Sequence, residues 1–113
     1  MHELSIAENL LAIVLEVAGN EKLKSVTKVN VSFGRLAQVV PELFETAFQV
    51  AAADTIAENA ELEIEMIPVT LKCLHCCREY VADEISFLCR HCGSAEIEIV
   101  KGREMYVSSI EGE

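Results

Sequence analysis

Four cysteines stand in two C-x-x-C knuckles, Cys73-Leu74-His75-Cys76 and Cys89-Arg90-His91-Cys92, with the twelve residues 77–88 between them. Each knuckle puts two thiolates on one side of a tight loop, and two such loops close a tetrahedron around Zn²⁺. Gly93, directly after the second knuckle, suits the left-handed backbone that these turns often need. A disulfide pair or a redox dithiol is the competing use of the same spacing. Zinc is the stronger reading, and Cys73, Cys76, Cys89 and Cys92 are the expected ligands. Four protein ligands leave no position open for a substrate or a reactive water, so this metal should hold structure and do no chemistry.

A second set of donors lies at Met1-His2-Glu3. With a free amine on Met1, the terminal nitrogen and the deprotonated His2 amide form a five-membered chelate ring. The His2 Nδ1 closes a six-membered ring on the same amide. Three nitrogens then converge in a plane, which suits Ni²⁺ or Cu²⁺ better than tetrahedral zinc. A fourth ligand has to come from elsewhere. The bulky His2 should also discourage removal of the initiator methionine. The plain alternative is an incidental His2, with Glu3 a first-turn acid that stabilises a helix N-terminus.

The flanking pattern says what must position these groups. Leu4, Ala7, Leu10, Leu11, Val14, Val17 and Ala18 recur at helical steps, and Gly19-Asn20 is a plausible stop. Val29, Val31 and Phe33 alternate with Asn30 and Ser32, so 26–35 reads as a half-buried strand. Pro41 opens a second helix whose buried face is expected from Leu43, Phe44, Ala47, Phe48 and Ala51. Leu62, Ile64 and Met66 alternate with Glu61, Glu63 and Glu65 in a second strand with one acidic face. Ile97 and Ile99 alternate with Glu96 and Glu98, and Met105 to Ile110 reads as the last strand. The expected fold is α+β: a small mixed sheet with two helices and an inserted zinc-ribbon-like module. Residues 1–70 plus 98–113 would form the α+β domain and residues 71–97 the zinc module.

The formal charge is −10 over 113 residues, and a zinc tetrathiolate takes it near −12. That argues against nucleic-acid binding, which relies on cationic side chains at phosphates. So does an aromatic content of 5%, too low for a base-stacking platform. No apolar run approaches the length of a bilayer span and no signal-peptide pattern opens the chain, so the expectation is a cytoplasmic protein with reduced thiols and no membrane partner.

The opening Met1-His2-Glu3-Leu4-Ser5-Ile6-Ala7, the stretch from Val29 to Arg35 followed by Pro41-Glu42-Leu43, the two knuckles, and the ending around Gly102-Arg103-Glu104-Met105 resemble the HypA/HybF family. These are nickel metallochaperones of nickel–iron (NiFe) hydrogenase maturation. The resemblance spans nearly the whole chain. It implies Ni(II) carried as cargo at Met1 (amine), His2 (imidazole and amide) and Glu3 (backbone or side chain), with structural Zn(II) on Cys73, Cys76, Cys89 and Cys92. It further implies a hydrogenase-maturation GTPase and the NiFe-hydrogenase large subunit as partners, and no enzymatic activity. Oligomeric state stays open, a homodimer included. A zinc-ribbon interaction adaptor without nickel delivery is the alternative function.

Some residues sit outside this scheme. Cys77 follows the first knuckle where a glycine or polar residue is expected, and is read as a spare thiol. His75 and His91 are read as solvent-facing, though they are also the candidates for a fourth nickel ligand. Met66 and Met105 are expected in the core, and Arg35 and Arg103 in salt bridges.

Overall fold

A computed structural model describes residues 3–82 and 88–113; Met1, His2 and residues 83–87 lie outside the described residues. Helix α1 (Glu3–Asn20) leads into strand β1 (Val26–Gly34), a single 3₁₀ turn (Arg35–Ala37) and helix α2 (Pro41–Ala52). Strands β2 (Glu61–Ile67), β3 (Val69–Cys73), β4 (Glu79–Ala82), β5 (Ile97–Lys101) and β6 (Met105–Gly112) follow. None of the described helices is long and apolar enough to cross a membrane.

Two three-stranded sheets result, in the orders β2-β1-β6 and β4-β3-β5. In the first, β1 pairs parallel with β2 and antiparallel with β6. The mixed sheet and the two helices are as the periodicity suggests. Val29, Val31 and Phe33 turn one face of β1 toward the helices, where they meet Leu10, Val14, Phe44 and Phe48 in one buried cluster. Phe33 and Phe44 meet edge to face with centroids 4.8 Å apart, a favoured aromatic geometry. The opposite face carries Glu61, Glu63 and Glu65, all exposed, and Lys28 bridges one of them, Glu63, at 2.8 Å.

The second sheet has its own small core of Val69, Leu71 and Ala82, flanked by Leu36, Tyr80, Ile97 and Ile99. Because β3 and β5 lie wholly within this sheet, we propose dividing the chain at Pro68 and Gly102 in place of residues 70 and 98. Two cores in line explain the extents of 54 × 25 × 17 Å and the radius of gyration of 17.5 Å, against about 13 Å for a spherical chain of this length.

The join between the cores is made of backbone. Gly34 donates its N–H to Glu104 O at 2.8 Å, and Leu36 donates to Gly102 O at 2.7 Å. The Glu104 carboxylate turns back to accept from the Gly102 N–H at 2.8 Å. Gly102 has φ +127°, open to glycine alone at little cost. Leu36, from the 3₁₀ turn, reaches across to pack on the second core.

Three apolar residues do not sit where periodicity puts them. Leu4, Val17 and Leu43 are 48%, 39% and 56% exposed, because the sheet is too narrow to cover the full apolar arc of both helices. Met66 packs against the first core, whereas Met105 is left exposed where β6 begins, at the join. Arg35 and Arg103 form no ion pair with any described residue.

Candidate metal centre

Both knuckles fold by the same local hydrogen bonds. Cys77 N–H donates to Cys73 O at 2.9 Å, and Gly93 N–H donates to Cys89 O at 2.9 Å. Cys73 N–H reaches Arg78 O at 2.9 Å, and Cys89 N–H reaches Ser94 O at 2.8 Å. Backbone N–H groups also point at sulfur: Cys76 N lies 3.4 Å from Cys73 Sγ, and His91 N lies 3.3 Å from Cys89 Sγ. Amide donors aimed at sulfur favour the thiolate, the form that ligates metal.

Strand β3 delivers Cys73 at its end, and the loop before β5 delivers the second knuckle, with Leu74 N–H donating to Glu96 O at 2.8 Å to tie the two together. The four Sγ atoms of Cys73, Cys76, Cys89 and Cys92 all lie within 4.8 Å of one another. Cys73 and Cys92 sulfurs are 3.5 Å apart, and those of Cys76 and Cys89 are 3.8 Å apart. Ligands about 2.3 Å from a tetrahedral Zn²⁺ stand about 3.8 Å from each other. The donor set and its spacing therefore fit zinc.

Titration within the cluster points the same way. The Cys73 thiol is lowered, chiefly by the Cys76 backbone N–H. Burial pushes the Cys89 thiol up, but the Cys92 and His91 N–H groups and neighbouring thiols outweigh it and bring it to about 6. For Cys92 the Ser94 N–H favours the thiolate, yet burial and the Cys73, Cys89 and Cys76 thiols prevail and raise it to about 12. Cys76 is raised too: burial and the Cys73 and Cys89 thiols overcome the favourable Arg78 N–H. Crowded sulfurs thus divide into two that ionise readily and two that resist. A dication at their centre removes the repulsion behind that resistance.

Cys77 is the irregular residue. Its φ is +61°, the counterpart of Gly93 at +77°, so a side chain occupies the left-handed position that glycine fills in the second knuckle. Its thiol is exposed and outside the four-sulfur cluster. Cys77→Gly is expected to raise the stability of the metal-bound protein by about 0.5–1 kcal/mol, as read by thermal melting at saturating zinc. An unchanged or lower melting point would mean that Cys77 contributes something beyond its backbone.

His75 and His91 are both exposed, in keeping with the plain reading of them. His91 Nδ1 lies 3.5 Å from the Arg78 guanidinium, and its ring stands edge-on to Tyr80 at 5.5 Å. Arg90 stacks over the Tyr80 ring, 4.5 Å from its centroid, and donates to Val81 O at 2.9 Å. This Tyr80–Arg90 clasp ties β4 to the second knuckle. It escapes sequence reasoning because nothing in the spacing of Tyr80 and Arg90 marks them as partners. Met1 and His2 fall outside the described residues. Glu3 opens α1, and its carboxylate stands 3.5 Å from the Val40 N–H at the start of α2.

A family model described as hydrogenase/urease nickel incorporation, metallochaperone, hypA matches residues 1–112. The chain belongs to the HypA family. Relatives named hydrogenase maturation factor HypA include those of Aquifex aeolicus, 42% identical over 98% of this chain and 96% of its own length, and Moorella thermoacetica, 35% identical over the full length of both. The solution structure of the nickel metallochaperone HypA from Helicobacter pylori superposes with a TM-score of 0.73 at 27% identity, covering 99% of this chain and 97% of that one. The HypA resemblance in the sequence and the α+β fold are both borne out. The family is one of metallochaperones and maturation factors, and this HypA chain carries a four-cysteine cluster built for a metal.

Proposed function

We propose that the chain carries Ni(II) on Met1, His2 and Glu3 and delivers it to a NiFe-hydrogenase large subunit in the cytoplasm, together with a maturation GTPase. In this reading Cys73, Cys76, Cys89 and Cys92 hold a structural Zn(II), and the protein catalyses no covalent reaction. The observation that carries it is the family match from residue 1 to residue 112, whose description is nickel incorporation. Donor chemistry supports a sorting of metals. A planar set of nitrogens disfavours zinc and a tetrahedron of thiolates favours it, so two geometries separate two ions in one chain. An open coordination edge at a chain terminus also lets a recipient attack and take the cargo.

Protein with its native start is expected to bind one Ni²⁺ in addition to zinc. His2→Ala, or a single residue placed before Met1, should weaken nickel binding by more than the roughly 10–100-fold typical of outer-sphere changes. Zinc content and circular dichroism should not change. Equal nickel affinity in the extended protein would sink the chelate. Because the family description names urease beside hydrogenase, a urease is the second candidate recipient. Which apo-enzyme gains nickel from the loaded chain separates the two.

A further inference from the structure

We propose that the groove between α1 and α2 docks an amphipathic helix of a partner protein, one whose apolar face is flanked by lysine or arginine. The proposal does not depend on which metal the N-terminus takes. The groove, of about 450 Å³, is lined chiefly by Leu4, Leu11, Leu15, Val50 and Ala51, with Glu8 its one charged group. Leu4 is 48% exposed and Val50 64%, and Leu43, one heptad before Val50 on the same side of α2, is 56% exposed. Leu11 is buried in the core and Leu15 and Ala51 pack against it, so these three floor the groove, while Leu4, Val50 and Leu43 stand exposed beside it. Contiguous apolar surface of this kind marks an interaction site, unlike apolar residues scattered singly.

Charge decides what covers it. Helices α1 and α2 carry Glu3, Glu8, Glu16, Glu42 and Glu45 and not one lysine or arginine. An isologous contact between two copies would set Glu8 and its acidic neighbours close to their own kind. A cation-bearing partner meets the same carboxylates favourably, and complementary charge also steers its approach. Leu4 and Leu15 lie eleven residues apart on one face, about 16 Å along the axis. That length accepts two to three turns of a helix anchored at i, i+4 and i+7. Leu4 directly follows Glu3, so a helix seated here lies within one turn of the proposed nickel chelate.

The test titrates the full, zinc-loaded, isotope-labelled chain with a stapled helix bearing leucines on one face and lysines beside them, and with its Lys→Glu counterpart. Saturable amide shifts on α1 and α2 are expected, with binding about tenfold weaker for the acidic helix and for Val50→Glu. At 64% exposure Val50 tolerates this change without loss of fold. Replacing Glu61, Glu63 and Glu65 on the sheet face by Gln should alter affinity by no more than about twofold. Absent saturation, or shifts centred on the acidic sheet face, would overturn the proposal. So would a dimer of the free chain that Val50→Glu dissociates, since the occupant would then be a second copy.

Discussion

Cys73→Ala is expected to strip the second sheet of its metal and of its fold while the first core stays intact. Cys73 is fully buried at the end of β3, between the knuckle it opens and the sulfur of Cys92 at 3.5 Å. Among the described residues, only Val69, Leu71 and Ala82 form the buried apolar interior of that sheet apart from the cysteines, with Leu36, Tyr80, Ile97 and Ile99 partly buried against it. A unit of this size does not hold itself together by apolar burial and relies on a metal or a crosslink. Structural zinc supplies about 10–16 kcal/mol of apparent binding free energy in zinc-finger peptides, far more than three small side chains can replace. The variant should lose its zinc on dialysis, and amides of β3 to β5 should exchange within seconds to minutes. Protection in α1, α2 and β1 should persist, because Phe33, Phe44 and Phe48 lie in a separate cluster. A variant that kept both its zinc and the slow exchange of β3 would refute the four-cysteine assignment.

Gly34→Ala should be nearly as damaging, for a reason invisible in the backbone angles. Gly34 has φ −74° and ψ 150°, which any residue adopts. A Cβ there would stand 2.1 Å from both the carbonyl carbon and oxygen of Gly102 and 2.6 Å from Arg103 N. These are backbone atoms and cannot rotate aside. Either the end of β1 or the Lys101–Met105 crossing must shift, and the Gly34–Glu104 and Leu36–Gly102 hydrogen bonds go with it. The expected cost is about 2–4 kcal/mol by chemical denaturation, together with a changed angle between the two sheets in residual dipolar couplings. A loss within about 0.5 kcal/mol and unchanged couplings would show that the close approach of Gly34 to Gly102 does not hold the two sheets together.

How far the sequence foretells these features depends on what enforces each. Zinc-type coordination demands two thiols per turn, so Cys73, Cys76, Cys89 and Cys92 announce themselves by spacing, and the four sulfurs do converge. The helices are legible because their apolar steps persist over several turns and Pro41 marks an N-terminus. Periodicity reports which side of a helix is apolar, but not how much of that side the neighbouring sheet can cover. For this reason periodicity places Leu4 and Leu43 inside, and the fold leaves them exposed. Strand β4 is only four residues long and is held by pairing with β3 and by the Arg90 contacts, a tertiary cause with no local signature. The passage from one sheet to the other is equally silent. It takes one residue, Pro68, on the way out, and its return depends on the contact between Gly34 and Gly102.

The pairing of β1 with β6 has a kinetic consequence. Val26 lies opposite Gly112, so the central strand acquires its second neighbour only when residues 105–112 arrive. Closing an unstructured excursion over residues 68–104 would cost about 3 kcal/mol in chain entropy. With the four cysteines brought together, β3 and β5 lie side by side and Thr70 faces Lys101, so both ends of that excursion already meet. Gathering the four sulfurs therefore sets the pace of assembly: it shortens the loop that β6 must close to reach β1, and until that loop closes β1 offers an unpaired edge open to strand exchange.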